Sequence, residues 1–256
     1  MKPRSAGITD IGLRRAHNED CIHLSDNQGI YLVADGMGGH AAGEVASHCA
    51  VEEIKNFFNL FSERQDITWP YPYDKRHSPA VNAILCGIRL ANRRVYDMQR
   101  ERPELCGMGT TMAALLITGN TATIAHAGDS RIYRLRGGKL ELFTSDHSWV
   151  NEQIKRNVIT PEEARNHRFR NVITRALGNR LDLEIDISAA DIRNGDLFLL
   201  CSDGLSGLVE DEKIQDILAR DLPLEERAEN LVDAANDAGG IDNISAVLVV
   251  CQEDAS

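Results

Sequence analysis

The segment 29–39, with the sequence GIYLVADGMGG, has a counterpart at 196–207, with the sequence DLFLLCSDGLSG. In both, an apolar run typical of a buried β-strand ends in an aspartate that glycine follows at once. We expect each strand to hold its carboxylate, Asp35 or Asp203, at the rim of a sheet. If the strands lie side by side, the two carboxylates come close together and need a cation or a proton between them.

Around these strands, helices and strands are grouped rather than alternating. Amphipathic periodicity predicts two long helices, over 40–58 and 79–99. Four short strands separated by glycine turns between 110 and 143 predict a β-meander of hairpins. This order favours an α+β fold with antiparallel sheets over a doubly wound parallel sheet. The remaining predicted strands are 21–24, 29–34, 183–189, 197–201 and 244–251, and the remaining predicted helices are 148–156, 162–166, 213–219 and 224–238.

Composition narrows the class of protein. The chain has 256 residues, is 43% hydrophobic and has no linker rich in proline, glycine or serine, so we expect one domain over 1–256, and a monomer. A formal net charge of -11 argues against nucleic-acid binding by general charge attraction. The N-terminus lacks the apolar segment of a signal peptide, and no apolar run is long enough to cross a bilayer. The six cysteines form no CxxC pair, which suggests buried thiols in a reducing, cytoplasmic compartment.

Four aspartates share one sequence context, at the end of an apolar strand or just before one. They are Asp35, Asp129, Asp203 and Asp242, and Glu19 and Asp20 add an acidic pair before another strand. A single Asp-Gly is usually a turn, but four such positions indicate a shared site. Carboxylates without a cysteine or convergent histidine ligand set favour Mg²⁺ or Mn²⁺ over zinc.

Other site motifs fit the sequence poorly. Residues 36–41 match GxGxxA, a dinucleotide fingerprint, but Asp35 would put a negative charge beside the pyrophosphate and no clear second strand follows. No cysteine is followed by the x5-Arg of a cysteine phosphatase. The chain also has no GxxxxGK[ST] loop and no GxSxG elbow.

Eight separated motifs, in order and spread over nearly the whole chain, resemble those of the type 2C (PPM) metal-dependent protein phosphatases, bacterial branch. They are R-A-H-N-E-D (15–20), V-A-D-G-M-G-G-H (33–40), G-T-T (109–111), G-D-S-R (128–131), D-H-S (146–148), I-T-R-A-L-G (173–178), C-S-D-G-L (201–205) and D-N-I-S (242–245). The resemblance implies a four-layer α-β-β-α sandwich in which helix pairs flank two stacked antiparallel β-sheets. It also implies hydrolysis of phosphoserine and phosphothreonine on proteins, opposing a bacterial Ser/Thr kinase.

The resemblance further implies a site between the sheets that holds two, or three, Mn²⁺ or Mg²⁺ ions. Asp35 would bridge two ions, Asp203 and Asp242 would hold one of them, and a water shared by the ions would attack phosphorus. Arg15 would bind the substrate phosphate with its forked guanidinium. The implied catalytic residues are Arg15, Asp35 and Asp203, and the implied metal ligands are Glu19, Asp20, Asp35, Gly36, Asp129, Asp203 and Asp242.

Two positions depart from the family pattern. Met37 stands where some members have a histidine proposed as the acid for the leaving alkoxide, so a metal-bound water or His40 would have to supply that proton. Gly207 stands where many members have a further aspartate, which puts a third metal site that includes Asp129 in question.

The segment 146–178 resembles the mobile flap of bacterial members. Its basic side chains could meet an acidic phosphopeptide, or they could form a solvated helix face. The loop 69–73 is interpreted as a connection between helices, with a partner surface as the alternative. A second function remains open: an inactive family member that binds phosphoproteins as a scaffold. The basic residues of the flap are Lys155, Arg156, Arg165, Arg168, Arg170 and Arg175.

Overall fold

The computed structural model describes residues 1–38, 42–63, 68–165 and 167–253. Within them, two antiparallel sheets pack face to face, and helices cover the outer face of each. The strands are β1 (Lys2–Asp10), β2 (Asp20–Ser25), β3 (Ile30–Met37), β4 (Gly109–Thr110), β5 (Met112–Thr118), β6 (Thr121–Ala127), β7 (Arg131–Arg136), β8 (Lys139–Leu142), β9 (Asp186–Asp191), β10 (Asp196–Cys201) and β11 (Ile244–Gln252). The helices are α1 (Ala42–Glu63), α2 (Pro79–Glu101), α3 (Trp149–Lys155), α4 (Pro161–Arg165), α5 (Asp203–Ser206), α6 (Asp211–Leu218) and α7 (Leu224–Asp237).

The first sheet has the strand order β1-β11-β10-β7-β8, and the second has the order β2-β3-β5-β6-β9 with β4 paired to β3. Alternation along β3 shows how the layers form. Ile30 and Leu32 pack with α1 and α2, whereas Tyr31 and Val33 pack in the core between the sheets. Helices α6 and α7 cover the outer face of the first sheet in the same way. The predicted α-β-β-α sandwich is therefore confirmed.

The predicted meander is wrong in its pairing. Strands β5 and β6 form a hairpin in the second sheet, whereas β7 and β8 form a hairpin in the first sheet. The turn Gly128-Asp129-Ser130 carries the chain from one sheet to the other, with Gly128 at a φ of +119°. Glycine spacing alone does not distinguish this crossing from a hairpin turn, because both positions favour the same residues.

The two aspartate-bearing strands also differ from the prediction. Strands β3 and β10 are not neighbours in one sheet: they belong to the two different sheets. Asp35 lies within β3, which continues to Met37, and Asp203 is the first residue of α5 rather than the end of a strand. The carboxylates therefore approach one another across the sandwich rather than along a sheet edge.

The sequence patterns identified most helices but missed one strand. The spacing of apolar residues predicts a buried stripe on α2, and all its members are buried: Val81, Leu85, Ile88, Ala91 and Val95. The sequence Thr160-Pro-Glu-Glu predicts a capping box, which Thr160 and Glu163 form reciprocally at the start of α4. In α1 the buried face passes through Ala46, Ala50 and Ile54, one position away from the predicted Val45 and Cys49, whereas the predicted Phe57 is buried. Strand β1 was not predicted because its sequence, KPRSAGITD, has few apolar residues. The predicted helix positions 40–41 and 166 lie outside the described residues.

Three further features concern the cysteines, the 69–73 loop and the character of the helices. All six cysteines are free thiols; four are buried, and Cys106 is exposed. Trp69 packs against Phe57, Phe61 and Tyr73, which supports the interpretation of the 69–73 loop as a helix connection. None of the helices in the described segments has the length and apolar character needed to cross a bilayer.

Candidate metal centre

Hydrogen bonds with Thr110 and Thr111 hold both the amide and the carbonyl of Asp35 in place. Its amide donates to the Thr111 hydroxyl at 2.9 Å, and its carbonyl accepts from the Thr110 hydroxyl at 2.9 Å and the Thr111 amide at 2.8 Å. Asp35 has the same strand parity as Tyr31 and Val33, so its side chain points between the sheets. The carboxylate is thus held toward the first sheet with little backbone freedom.

Asp20 is the direct cross-strand partner of Asp35 in the β2–β3 pair. It is 4% exposed, and its Oδ2 accepts from the Ser202 hydroxyl at 2.8 Å and the Ser245 hydroxyl at 2.7 Å. Both serines are on the side of the first sheet: Ser202 directly follows β10, and Ser245 lies in β11. Asp20 therefore joins the two sheets directly beside Asp35.

Asp203 and Asp242 lie on the first sheet side of the same region. Asp203 begins α5, and Asp242 lies two residues before β11, the strand that pairs with β10. Arg15 donates to Oδ2 of Asp242 at 2.7 Å, and 46% of the Arg15 side chain remains exposed. The guanidinium thus lies at the solvent side of the carboxylates.

Glu19 and Gly36 approach one another closely. The Gly36 amide donates to the Glu19 carbonyl at 3.1 Å. A Cβ at residue 36 would lie 2.2 Å from the Gly43 carbonyl oxygen and 2.5 Å from that of Glu19, so only glycine fits between β2 and α1. The same crowding leaves the Gly36 backbone beside the carboxylates.

Asp129 comes to the cluster from the turn between the two sheets. It shares a cleft of about 530 Å³ with Asp203, Asp242 and Gly207. Asp146 also lines this cleft, where Arg131 neutralises it through two hydrogen bonds of 2.9 and 2.7 Å. Gly207 adds no carboxylate, so the cleft contains Asp129 without the further aspartate of the family pattern.

The electrostatics show how close these groups are. Burial, together with the charges of Asp20, Asp203, Asp129 and Asp242, raises the pKa of Asp35 well above its usual range. Burial, with the charges of Asp203 and Asp242, raises the pKa of Asp20 to about 7, and burial, with the charges of Asp203 and Asp146, raises that of Asp129 to about 8. Burial also raises the pKa of Glu19 and of Asp203. The chain therefore concentrates negative charge that it does not itself neutralise.

The donor atoms fit a hard divalent cation. Oδ1 of Asp20, Oδ1 of Asp129 and Oε1 of Glu19 are buried, and none of them has a hydrogen-bond partner among the residues that the structure describes. An unpaired buried carboxylate oxygen costs free energy unless a cation or proton compensates it. Oxygen donors at this density suit Mg²⁺ or Mn²⁺. All six predicted carboxylates and Arg15 lie in this region, whereas His40 falls outside the described residues.

Sequence reasoning missed a second group of metal-ligand type, which consists of His126, His147 and Asp186. Each offers one ligand atom, and these three atoms lie within 4.8 Å of one another. The two rings stack at 4.6 Å and 13°, so their in-plane lone pairs run parallel and do not converge. Arg175 already donates to Asp186 at 2.9 Å, and the Gly128 amide donates to Nδ1 of His147 at 3.1 Å. Burial lowers the pKa of both histidines. This group fits an internal hydrogen-bond network better than a metal site.

Comparison with known proteins identifies the family. The model of the family described as "Protein phosphatase 2C" matches residues 14–239. The chain belongs to the protein phosphatase 2C family. It is 36% identical to the protein phosphatase PhpP of Streptococcus pneumoniae over 250 residues, which cover 96% of this chain and 97% of PhpP.

Solved structures agree with this assignment. The serine/threonine phosphatase PstP/Ppp of Mycobacterium tuberculosis superposes with a TM-score of 0.86 at 35% identity, covering 98% of this chain and 99% of that one. The catalytic domain of PstP in complex with two manganese ions gives a TM-score of 0.83 at 35% identity, with the same coverage. The resemblance seen in the sequence is therefore confirmed: this is a bacterial PPM-type protein serine/threonine phosphatase.

Several residues that support the centre of this phosphatase were quoted in motifs but given no role. Thr111 fixes the Asp35 peptide, Ser202 and Ser245 bind Asp20, and Asn243 organises the loop before β2. The signal was present in the sequence, since each polar residue flanks an aspartate or a buried strand. The partner atom of each of these polar side chains depends on how the two sheets pack, and no local sequence pattern contains that information.

Asn243→Ala is expected to lower the free energy of unfolding by about 2–3 kcal/mol, because three partly buried hydrogen bonds are lost at once. The Asn243 side chain accepts from the Glu19 amide at 2.8 Å and donates to the carbonyls of Ile11 at 3.0 Å and His17 at 2.9 Å. Urea unfolding measures the loss. Asn230→Ala on the surface of α7 is the control and should change stability by less than about 0.5 kcal/mol; equal losses in both variants would contradict this role of Asn243.

Proposed function

We propose that this phosphatase hydrolyses phosphoserine and phosphothreonine esters of proteins at the carboxylate cluster, with two divalent ions bound there. The observation that carries the proposal is the convergence of six carboxylates beside an exposed arginine. Three of the six have a buried oxygen without a hydrogen-bond partner in the described part of the chain. We treat 1–256 as one catalytic domain. Proteins phosphorylated by a bacterial Ser/Thr kinase are the proposed substrates.

Mn²⁺ or Mg²⁺ is the proposed cofactor, and the PstP catalytic domain with two manganese ions supports this choice. Asp35 is the proposed shared ligand, with Asp203 and Asp242 on one side and Glu19, Asp20 and the Gly36 carbonyl on the other. When bound, the two ions would neutralise the phosphate and lower the pKa of a shared water. Since Gly207 offers no oxygen-bearing side chain, the proposed third site, with Asp129 as its ligand, is weaker than the other two.

Arg15 has the position and the freedom to hold the substrate phosphate. Its pKa is raised, chiefly by the hydrogen bond to Asp242, so the guanidinium stays charged. Its planar fork matches two phosphate oxygens. Because Arg15 is half-exposed, it can meet an incoming phosphate while Asp242 remains beside it.

The flap, 146–178, is proposed to cover the substrate peptide. Arg165 and Arg170 line the same cleft as Asp129 and Asp203. Positive side chains on this wall would attract a phosphorylated, acidic peptide toward the cluster. The proposed docking therefore places the phosphate between Arg15 and the ions, with the peptide under the flap.

Arg15→Ala is expected to raise the KM for a phosphothreonine peptide about 5- to 100-fold, because a charged hydrogen bond contributes roughly 1–3 kcal/mol. kcat should fall less. Steady-state kinetics at saturating Mn²⁺ measures both constants. Arg15→Lys is the matched control: it keeps the charge but loses the fork, and should recover only part of the affinity. An unchanged KM in Arg15→Ala would contradict phosphate binding by this residue.

Turnover of a phosphothreonine peptide and of p-nitrophenyl phosphate tests the proposed function as a whole. We expect hydrolysis that requires Mn²⁺ or Mg²⁺ and stops with a chelator. Tight binding of the phosphopeptide without turnover at any metal concentration would instead indicate an inactive, phosphoprotein-binding scaffold.

A further inference from the structure

Three exposed apolar side chains lie on two adjoining loops beside Arg15. Ile11 is 40% exposed, Leu13 is 65% exposed and Ile241 is 53% exposed. We call these three residues the apolar rim. Grouped exposure of this kind on a soluble domain often marks a binding surface.

The rim is held by hydrogen bonds and close packing. The Leu13 amide donates to the Gly240 carbonyl at 2.7 Å, and the Ile11 carbonyl accepts from Asn243 at 3.0 Å. Gly12, at a φ of +76°, brings the loops together: a Cβ there would lie 2.2 Å from the Asp242 carbonyl oxygen. The apolar side chains are thus displayed in a fixed position, which lowers the entropic cost of binding.

The rim is continuous with the proposed phosphate site. Ile241 lines the cleft that contains Asp203 and directly precedes Asp242, the partner of Arg15. Leu13 is two residues from Arg15, so their Cα atoms are at most about 7 Å apart, the span of two residues of extended peptide. A substrate whose phosphate meets Arg15 would place a neighbouring side chain on the rim.

We propose that the apolar rim selects substrates with a large apolar side chain one or two residues from the phosphorylated serine or threonine. This inference rests on the proposed function and adds a specificity element to it. The occupant is a peptide side chain rather than a second copy of the chain, because three side chains present far less than the ~800 Å² per partner of a stable protein interface.

The test compares two phosphothreonine peptides that differ only in having leucine or serine on both sides of the phosphothreonine. We expect wild-type protein with Mn²⁺ to prefer the leucine peptide about tenfold in kcat/KM, chiefly through KM. Leu13→Ser and Ile241→Ser should each reduce this ratio several-fold. Leu181→Ser, which removes a 51% exposed leucine remote from the rim, should leave the ratio at its wild-type value.

Equal kcat/KM values for the two peptides in the wild-type protein would overturn the proposal. A Leu181→Ser variant that loses the preference as much as Leu13→Ser and Ile241→Ser would also overturn it. A wild-type dimer that Leu13→Ser converts to a monomer would also overturn it, because the rim would then be a self-association surface. If neither peptide is hydrolysed, the proposed function fails. In that case, the dissociation constants of the two peptides, measured by fluorescence anisotropy, give the preference for the leucine peptide. This preference tests the role of the apolar rim independently of turnover.

Discussion

Asp203→Asn is expected to lower kcat for a phosphothreonine peptide at least about a thousandfold and to remove the stabilisation of the fold by Mn²⁺. The change is isosteric, so the packing at the start of α5 is kept. The change removes one negative charge from the group of carboxylates that interact electrostatically with Asp35. Because the proposed ions need that charge, metal affinity and turnover should fall together.

Two measurements check this prediction. Thermal unfolding with and without Mn²⁺ reports binding directly, since a ligand at 100 times its Kd stabilises the folded state by about 2.7 kcal/mol. Steady-state kinetics report turnover. Asp233→Asn, an exposed carboxylate on α7, is the matched control and should behave like wild type in both. An Asp203→Asn protein with normal activity would show that this carboxylate does not serve the reaction.

The chelator-treated protein is expected to lose stability as pH rises, which is the second large effect. The pKa of Asp20 is raised to about 7 and that of Asp129 to about 8 in the folded protein, from an ordinary value of 3.8. Between pH 6.5 and 8.5 the folded state therefore binds protons that the unfolded state does not. The free energy of unfolding should fall by roughly 2 kcal/mol across this window as pH rises.

Burial lowers the pKa values of His23, His126 and His147, and these groups oppose the change only near pH 6.5, because there the unfolded chain still binds some protons at them. Thermal unfolding in chelator at pH 6.5 and 8.5 measures the effect, and saturating Mn²⁺ should abolish it. Asp35→Asn should make the chelated protein more stable at pH 8.5 because it removes one of the repelling charges, although it removes activity. Equal stability at both pH values, or a less stable Asp35→Asn protein, would contradict the charge cluster.

Sequence reasoning predicted local structure better than pairing. Strands β6 and β7 and the buried face of α2 follow directly from periodicity, because those patterns depend on residues close in the chain. The prediction of a meander was wrong at Gly128, because the packing of the two sheets determines whether the chain forms a hairpin there or crosses to the other sheet. Strand β1 is recognised as a strand only through its pairing with β11, and that partner lies more than 200 residues away.

For the candidate metal centre, too, the sequence predicted the local features and not the long-range contacts. The aspartates were found because an apolar strand next to Asp-Gly is a local pattern, and the family motifs supplied the remaining positions. Ser202 and Ser245 reach Asp20 from sequence separations of 182 and 225 residues. The network of His126, His147 and Asp186 likewise draws on three segments of the chain. Such contacts follow from the fold, and no window of sequence contains them.

The most direct test of the central claim is electron paramagnetic resonance of the chelator-treated protein during titration with Mn²⁺. If Asp35 joins two ions, the protein will bind two equivalents and give the spectrum of a spin-coupled pair, and Asp35→Asn will lose the coupling. Failure to bind Mn²⁺, or a spectrum of isolated ions that is unchanged in Asp35→Asn, would contradict a two-metal centre at this carboxylate cluster.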